Sequence, residues 1–186
     1  YQDNLKGLII SNMMSSVPEY NKYANEVLGP QLPPEVLKEV KEFEANNDYL
    51  NPRYSELLFE HFYTAHVLRM PLDEWPDPVN RAFAKMNQGL YVTMQGPSEF
   101  GVVGEAKLKN WDRSEDLSKI TVPTLSIGGQ HDTMDPKHME WMSTQFIQGS
   151  YLHCLAGSHW SMYDDQKTYF KGLVKFIKEV DQQASN

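Results

Sequence analysis

Two polar loops hold the residues best suited to proton chemistry. The run Val122-Pro-Thr-Leu-Ser-Ile-Gly-Gly-Gln-His-Asp132 ends on Asp132, and the run Leu152-His-Cys-Leu-Ala-Gly-Ser-His159 ends on His159. A carboxylate bonded to one imidazole nitrogen fixes the ring's tautomer and leaves the other nitrogen to take a proton from a nucleophile. Taken alone, each has a plainer reading. Asp132 caps a helix starting at Pro136, and His159 caps a helix or packs on Trp160. Together, one strand-helix unit apart, they read as the Asp and His of a Ser-His-Asp machine.

The flanking pattern says what positions them. Ile120 to Ile127 reads as a strand, Pro136 to Gln148 as a helix, Ser150 to Leu155 as a second strand and Ser161 to Val180 as a closing helix. Crossovers of this kind give parallel strands, whose C-terminal ends form one rim where sites gather. In the closing helix Tyr169, Phe170, Leu173, Val174 and Ile177 keep a helical apolar stripe. Leu5 to Ser11 reads as another buried strand, entered from a frayed helix end and followed by a polar loop, Asn12 to Ser16. The tail from Asp181 to Asn186 reads as frayed.

Between these parts the character changes. From Val17 to about Glu115 the chain is dense in Tyr, Phe, Glu and Lys and holds no convincing buried strand. Helices are expected over Glu19–Leu28, from Pro33-Pro34 to Asn46, over Arg53–Leu68, and from Asp77 to about Gln88. Tyr91–Met94 is expected to be extended, and Gln95-Gly-Pro-Ser-Glu-Phe-Gly101 to be a tight turn. The resulting architecture is α/β: residues 1–16 and 116–186 form a mostly parallel core, and residues 17–115 form an inserted helical cap.

Composition removes several classes. The 186 residues carry a net charge of −8, with 40% apolar and 12% aromatic residues. That balance suits a packed core and argues against nucleic acid, which needs basic patches. No apolar run approaches a membrane span. One cysteine, Cys154, excludes an internal disulfide and a metal-binding cysteine cluster. As part of a buried strand it reads as a small core residue. His61, His66, His131, His138 and His153 form no zinc pattern, and the methionines read as gap-fillers or pocket walls.

The order Asp then His near the C-terminal end is that of α/β-hydrolases, where the serine comes first on a Gly-x-Ser-x-Gly elbow. No such pentapeptide occurs in this chain. Ser98, in Gly96-Pro-Ser-Glu-Phe-Gly101, has the wrong spacing and lies in the helical segment. The chain opens without Met, in what reads as mid-element. The expectation is therefore an upstream segment on the order of 100 residues, at ~30 per strand-helix unit, carrying the serine and the oxyanion hole. Any export signal would lie there too, and the default placement is cytoplasmic.

Several stretches make the resemblance specific: Leu5-Lys-Gly-Leu-Ile-Ile-Ser11, Glu74-Trp-Pro76, Met94-Gln-Gly-Pro-Ser-Glu-Phe100, Lys109-Asn-Trp-Asp112, Val122-Pro-Thr-Leu125 with Gly129-Gln-His-Asp132, and Gly157-Ser-His159. In these the chain resembles the C-terminal two-thirds of the proline iminopeptidases, α/β-hydrolases of the serine peptidase clan. The resemblance implies release of an N-terminal proline from peptides, with no cofactor, and cap carboxylates that hold the substrate's free amine. Glu99 is the best match for that role, with Glu60 and Glu74 as candidates for a second carboxylate. Phe100 and Trp160 would wall a slot for the pyrrolidine ring. The expected partners are a peptide with a free N-terminal proline and the upstream polypeptide segment, with neither nucleic acid nor membrane. Two rivals stand beside this reading: another lidded hydrolase (amidase, esterase or epoxide hydrolase), and a non-catalytic fragment that needs a partner chain.

Overall fold

The structure, a computed structural model, describes residues 2–183. In chain order the elements are strand β1 (Leu8–Ser11), helices α1 (Val17–Tyr23), α2 (Pro34–Ala45), α3 (Pro52–Leu58), α4 (Asp77–Ala84) and α5 (Gln88–Met94), strand β2 (Thr124–Gly129), helix α6 (Pro136–Gln145), strand β3 (Gly149–Cys154) and helices α7 (Ser161–Asp164) and α8 (Gln166–Gln183). Wider π turns prolong α1 over Ala24–Leu28 and α3 over Phe59–Tyr63. The chain divides into two compact units, residues 1–16 with 112–186, and residues 17–111.

The first unit is built on a three-stranded parallel sheet in the order β1-β2-β3. Central β2 is buried at every residue, which is why it reads as an unbroken apolar and small-residue run rather than an alternating one. Its two faces still differ. Leu125 and Ile127 form a cluster with Cys154 and Tyr169, against which Leu152, Leu173 and Phe176 pack. On the other side Met142 and Phe146 of the α6 region join Leu117, with Ile10 and Ile120 against them. β2 starts at Thr124 and not at Ile120, because Pro123 has no N–H to give to a ladder. The Pro123 carbonyl still accepts from Leu8 at 2.8 Å.

Further expectations change. Tyr91–Met94 is helical: Asn87 caps α5, its side chain accepting from the Leu90 N–H at 3.0 Å, and that cap outweighs the β preference of Tyr-Val-Thr. The closing helix is two helices, interrupted at Asp165. Its apolar stripe also splits. Tyr169, Leu173 and Phe176 face the sheet, whereas Phe170, Val174 and Ile177 are each 44% exposed. β1 is less buried than a core strand, with Ile9 at 39% exposure, since only β2 lies beside it among the described residues. Tyr1 and residues 184–186 lie outside the described residues, and the tail expected to fray from Asp181 is helical as far as Gln183.

The second unit is all helix and turn. Its interior is filled by large side chains, with Phe62 edge-on to Phe100 at 4.9 Å between centroids, and Leu28, Val40, Tyr54 and Leu57 fully enclosed. Among the described residues no helix is long and apolar enough to cross a membrane.

Ser126, in the middle of β2, has the one buried side-chain polar atom without a hydrogen-bond partner among the described residues. Its hydroxyl loses water on folding and gains nothing in return. Ser126→Ala is expected to leave the fold intact and to raise stability by up to ~1 kcal/mol, read as a higher urea midpoint.

Candidate active site

Asp132 lies three residues beyond the C-terminal end of β2, and His159 five residues beyond that of β3. The two strands are adjacent and parallel, so both loops leave the same edge of the sheet. Backbone bonds hold the loops together. Gln130 N–H donates to the Cys154 carbonyl at 2.9 Å, and His131 N–H donates to the Gly157 carbonyl at 3.0 Å. Gly129 is what permits this approach: a Cβ there would stand 2.6 Å from both the Gly157 and Ser158 carbonyl oxygens.

The loops deliver the pair. His159 Nδ1 lies 2.8 Å from Asp132 Oδ1. An ionised carboxylate only accepts, so Nδ1 carries the proton and Nε2 is left as the basic nitrogen. Asp132 is fully buried, and its carboxylate is surrounded by donors: the Met134 N–H at 2.9 Å and the Thr133 hydroxyl at 3.4 Å on Oδ1, and the Asn12 amide at 2.6 Å on Oδ2. The capping role goes to a different residue. Asp135 caps α6, accepting from the Lys137 N–H at 2.9 Å, which leaves Asp132 to the histidine. The His159 loop is pinned from behind: Asp164 accepts from the backbone N–H and the hydroxyl of Ser158, and Asp165 accepts from the Ala156 N–H at 3.2 Å. Those two carboxylates sit at the break between α7 and α8.

Trp160 adjoins His159, partly exposed, with its ring 6.5 Å from that of Tyr163. Cys154 is enclosed, and burial, followed by the charge of Asp165, raises its thiol from 9.0 to about 12. A thiol held protonated is no nucleophile at neutral pH.

The helical unit holds the other candidates. Gly96 and Gly101 bound the turn with φ of +116° and +101°, values that suit glycine. Inside it, Ser98 is buried, accepting from the Tyr54 hydroxyl and the Phe100 N–H at 3.2 Å each, a structural role. Glu99 is half-buried and gripped throughout. Its Oε1 accepts from the Tyr91 hydroxyl at 2.5 Å and its Oε2 from Gln95 at 3.1 Å. Its carbonyl accepts from the Tyr20 hydroxyl at 2.5 Å, and its N–H donates to the Tyr63 hydroxyl at 3.1 Å. Burial first, then the Glu99 charge, pushes the phenols of Tyr91 and Tyr63 well above their usual range, so both stay protonated. Tyr63 and Tyr91 also wall a cavity of about 670 Å³ with Tyr54, Phe59, Phe83 and Met86.

The other three predicted binding residues of the helical unit differ from Glu99. Glu60 is exposed, 3.8 Å from His61, and Glu74 is exposed on a short 3₁₀ turn. Phe100 is 1% exposed, with Phe62 against its edge and the Lys41 ammonium 4.6 Å from its centroid. It packs the interior and has no face to offer a ligand. Sequence reasoning missed Asn12, a polar residue after a strand with nothing local to set it apart. It also missed the tyrosines around Glu99, which come from three separate helical segments.

No family model matches the chain. It is 51% identical over all 186 residues to a proline iminopeptidase of Chitinophaga pinensis and 53% identical to one of Elizabethkingia meningoseptica, covering 62% and 61% of their lengths. The chain thus spans about three-fifths of these curated relatives. Among solved structures it is similar to a proline iminopeptidase of Mycobacterium smegmatis, with a TM-score of 0.78 and 27% identity, over 98% of this chain and 60% of that one. It also matches the crystal structure of VinJ, with a TM-score of 0.87 and 24% identity, over 95% of this chain and 58% of that one, a likeness of fold.

Two outcomes follow from this geometry. Gly129→Ala should force the two loops apart and cost ~2–4 kcal/mol, read as a lower urea midpoint together with loss of the His159–Asp132 contact. Cys154 should resist iodoacetamide at pH 8 in the native chain and react fully in urea. Because its folded value is raised, its contribution to stability is complete below pH 9.0 and fades as the pH climbs toward 12. The fall in urea midpoint between pH 8 and 10 should be shallower in Cys154→Ala.

The chain carries the α/β-hydrolase fold and is similar over its whole length to proteins named proline iminopeptidase.

Proposed function

We propose that this chain is the part of a serine exopeptidase that supplies the general base and the amine-recognition residue, and that the reaction is release of an N-terminal proline from a peptide. The observation that carries the reading is the His159–Asp132 pair, closed at 2.8 Å where two adjacent parallel strands end. The full-length relatives suggest the identity of the substrate.

The chemistry is acyl transfer. A serine outside these 186 residues attacks the prolyl carbonyl, and His159 Nε2 takes the hydroxyl proton as the C–O bond forms. Collapse of the tetrahedral species breaks the C–N bond, and the imidazolium returns the proton to the leaving amine. Water then attacks the acyl-enzyme by the same route, freeing proline and restoring the serine. Asp132 holds the ring in one orientation and balances the imidazolium charge.

Recognition of a free N-terminus needs a carboxylate for the ammonium, and Glu99 is the residue best prepared for that. Its two oxygens accept one hydrogen bond each from the protein, and a carboxylate has roughly four acceptor sites. One observation favours a second reading: the same bonds would suit a carboxylate that only stiffens the turn. The enzyme would then be another α/β-hydrolase, indifferent to the amine.

Kinetics on the full-length protein separate these. Asp132→Asn should lower kcat by roughly 10⁴-fold. A free prolyl anilide should be cleaved and its N-acetyl form refused. Glu99→Gln should raise KM for the free amine by about 10- to 100-fold, the worth of one charge-assisted bond. Equal cleavage of both anilides, with KM unmoved by Glu99→Gln, would exclude the exopeptidase assignment while leaving the base in place.

A further inference from the structure

The Asp132–His159 pair uses only one oxygen of a fully buried carboxylate. The other, Oδ2, accepts from the Asn12 side-chain amide at 2.6 Å. Asn12 is the first residue past β1 and is itself buried, at 6% exposure. Its backbone is left-handed, with φ of +54°. Asparagine and glycine tolerate that conformation best, and of the two only asparagine brings a donor.

The amide is held on every side. Nδ2 also reaches the Ser158 carbonyl at 3.4 Å, in the loop that presents His159. Its Oδ1 accepts from the Ser11 hydroxyl at 2.6 Å. With its proton given to Asn12, the Ser11 oxygen is left to accept from the Tyr169 hydroxyl 3.0 Å away. The chain of donors therefore runs one way, from Tyr169 on α8 through Ser11 and Asn12 to Asp132. A flipped amide would set its oxygen against the carboxylate and its NH₂ against the Ser11 proton, two repulsive contacts in place of two bonds.

We propose that Asn12 is a positioning residue for the Asp132–His159 pair. It fixes the plane of the carboxylate so that Oδ1 faces the imidazole, while Ser11 and Tyr169 fix the orientation of the amide itself. The assignment rests on reading that pair as the general base. It adds the strand tip of β1 to the two loops already described, so that all three parallel strands contribute to one proton-handling unit. Without the amide, Oδ2 lacks its closest donor and the carboxylate can rotate about its Cβ–Cγ bond, presenting either oxygen to His159.

The test needs no catalytic turnover. The proton enclosed between His159 Nδ1 and Asp132 should give a far-downfield proton NMR signal in the full-length protein, and Asp132→Asn should abolish it. Asn12→Gly keeps the left-handed backbone and removes only the amide. It should lose that signal and raise the Nε2–H tautomer in nitrogen spectra, with circular dichroism unchanged. Tyr169→Phe keeps the packed ring and should shift the signal without removing it. A folded Asn12→Gly chain with the signal and tautomer unmoved overturns the proposal. Should that variant not fold, an unmoved signal in Tyr169→Phe does so instead. A signal that survives Asp132→Asn overturns the pair itself, and with it the reading of His159 as base, a result separable from failure of Asn12 alone.

Discussion

A carboxylate with no exposed surface must be surrounded by donors, and much of the first unit is arranged to meet that demand at Asp132. Burying an ion costs several kcal/mol unless each of its oxygens is bonded. Here the donors come from four places: the Asn12 amide, the Thr133 hydroxyl, the Met134 N–H and the His159 ring. They belong to the segments that follow β1, β2 and β3. The constraint therefore acts on the tertiary structure. Three loops have to converge on one point, and parallel strands of matched register are the frame that lets them.

Close convergence makes demands of its own. The backbone after β2 runs against the His159 loop with no room for a Cβ at position 129. The His159 loop in turn is fastened to Asp164 and Asp165, and the helix expected to be continuous breaks there. Asp164 and Asp165 stand at that break, and their carboxylates reach back to the amides of the loop. The interruption between α7 and α8 thus holds the imidazole in place, and the long α8 can then set Tyr169 at the base of the network.

The helical unit solves a comparable problem by other means. Glu99 is half-buried on a turn bounded by two left-handed glycines, with hydroxyls from Tyr20, Tyr63 and Tyr91 around it. Those phenols serve as both packing and hydrogen-bonding groups, apolar on their faces and polar at their tips. That dual use explains why a segment so rich in tyrosine can enclose a carboxylate and still pack. It also separates Glu99 from Glu60 and Glu74, which are exposed.

Local pattern in the sequence sufficed for the strands that end before Asp132 and His159 and for the loops that carry them. These are properties of nearest neighbours along the chain: an apolar run, a glycine-bearing exit, a proline at a helix start. Only the tertiary structure gave Asp132 to His159, 27 residues away, while the helix cap falls to Asp135, directly before Pro136. It also turned Tyr91–Met94 into helix through the Asn87 cap, put Phe100 into the interior, and split the apolar stripe of α8 between the sheet and the surface. Asn12 and Tyr169 stand 157 residues apart and meet through one serine hydroxyl. Such contacts are decided by which strands pair and how closely their loops approach, and those are distances through space that no spacing along the chain encodes.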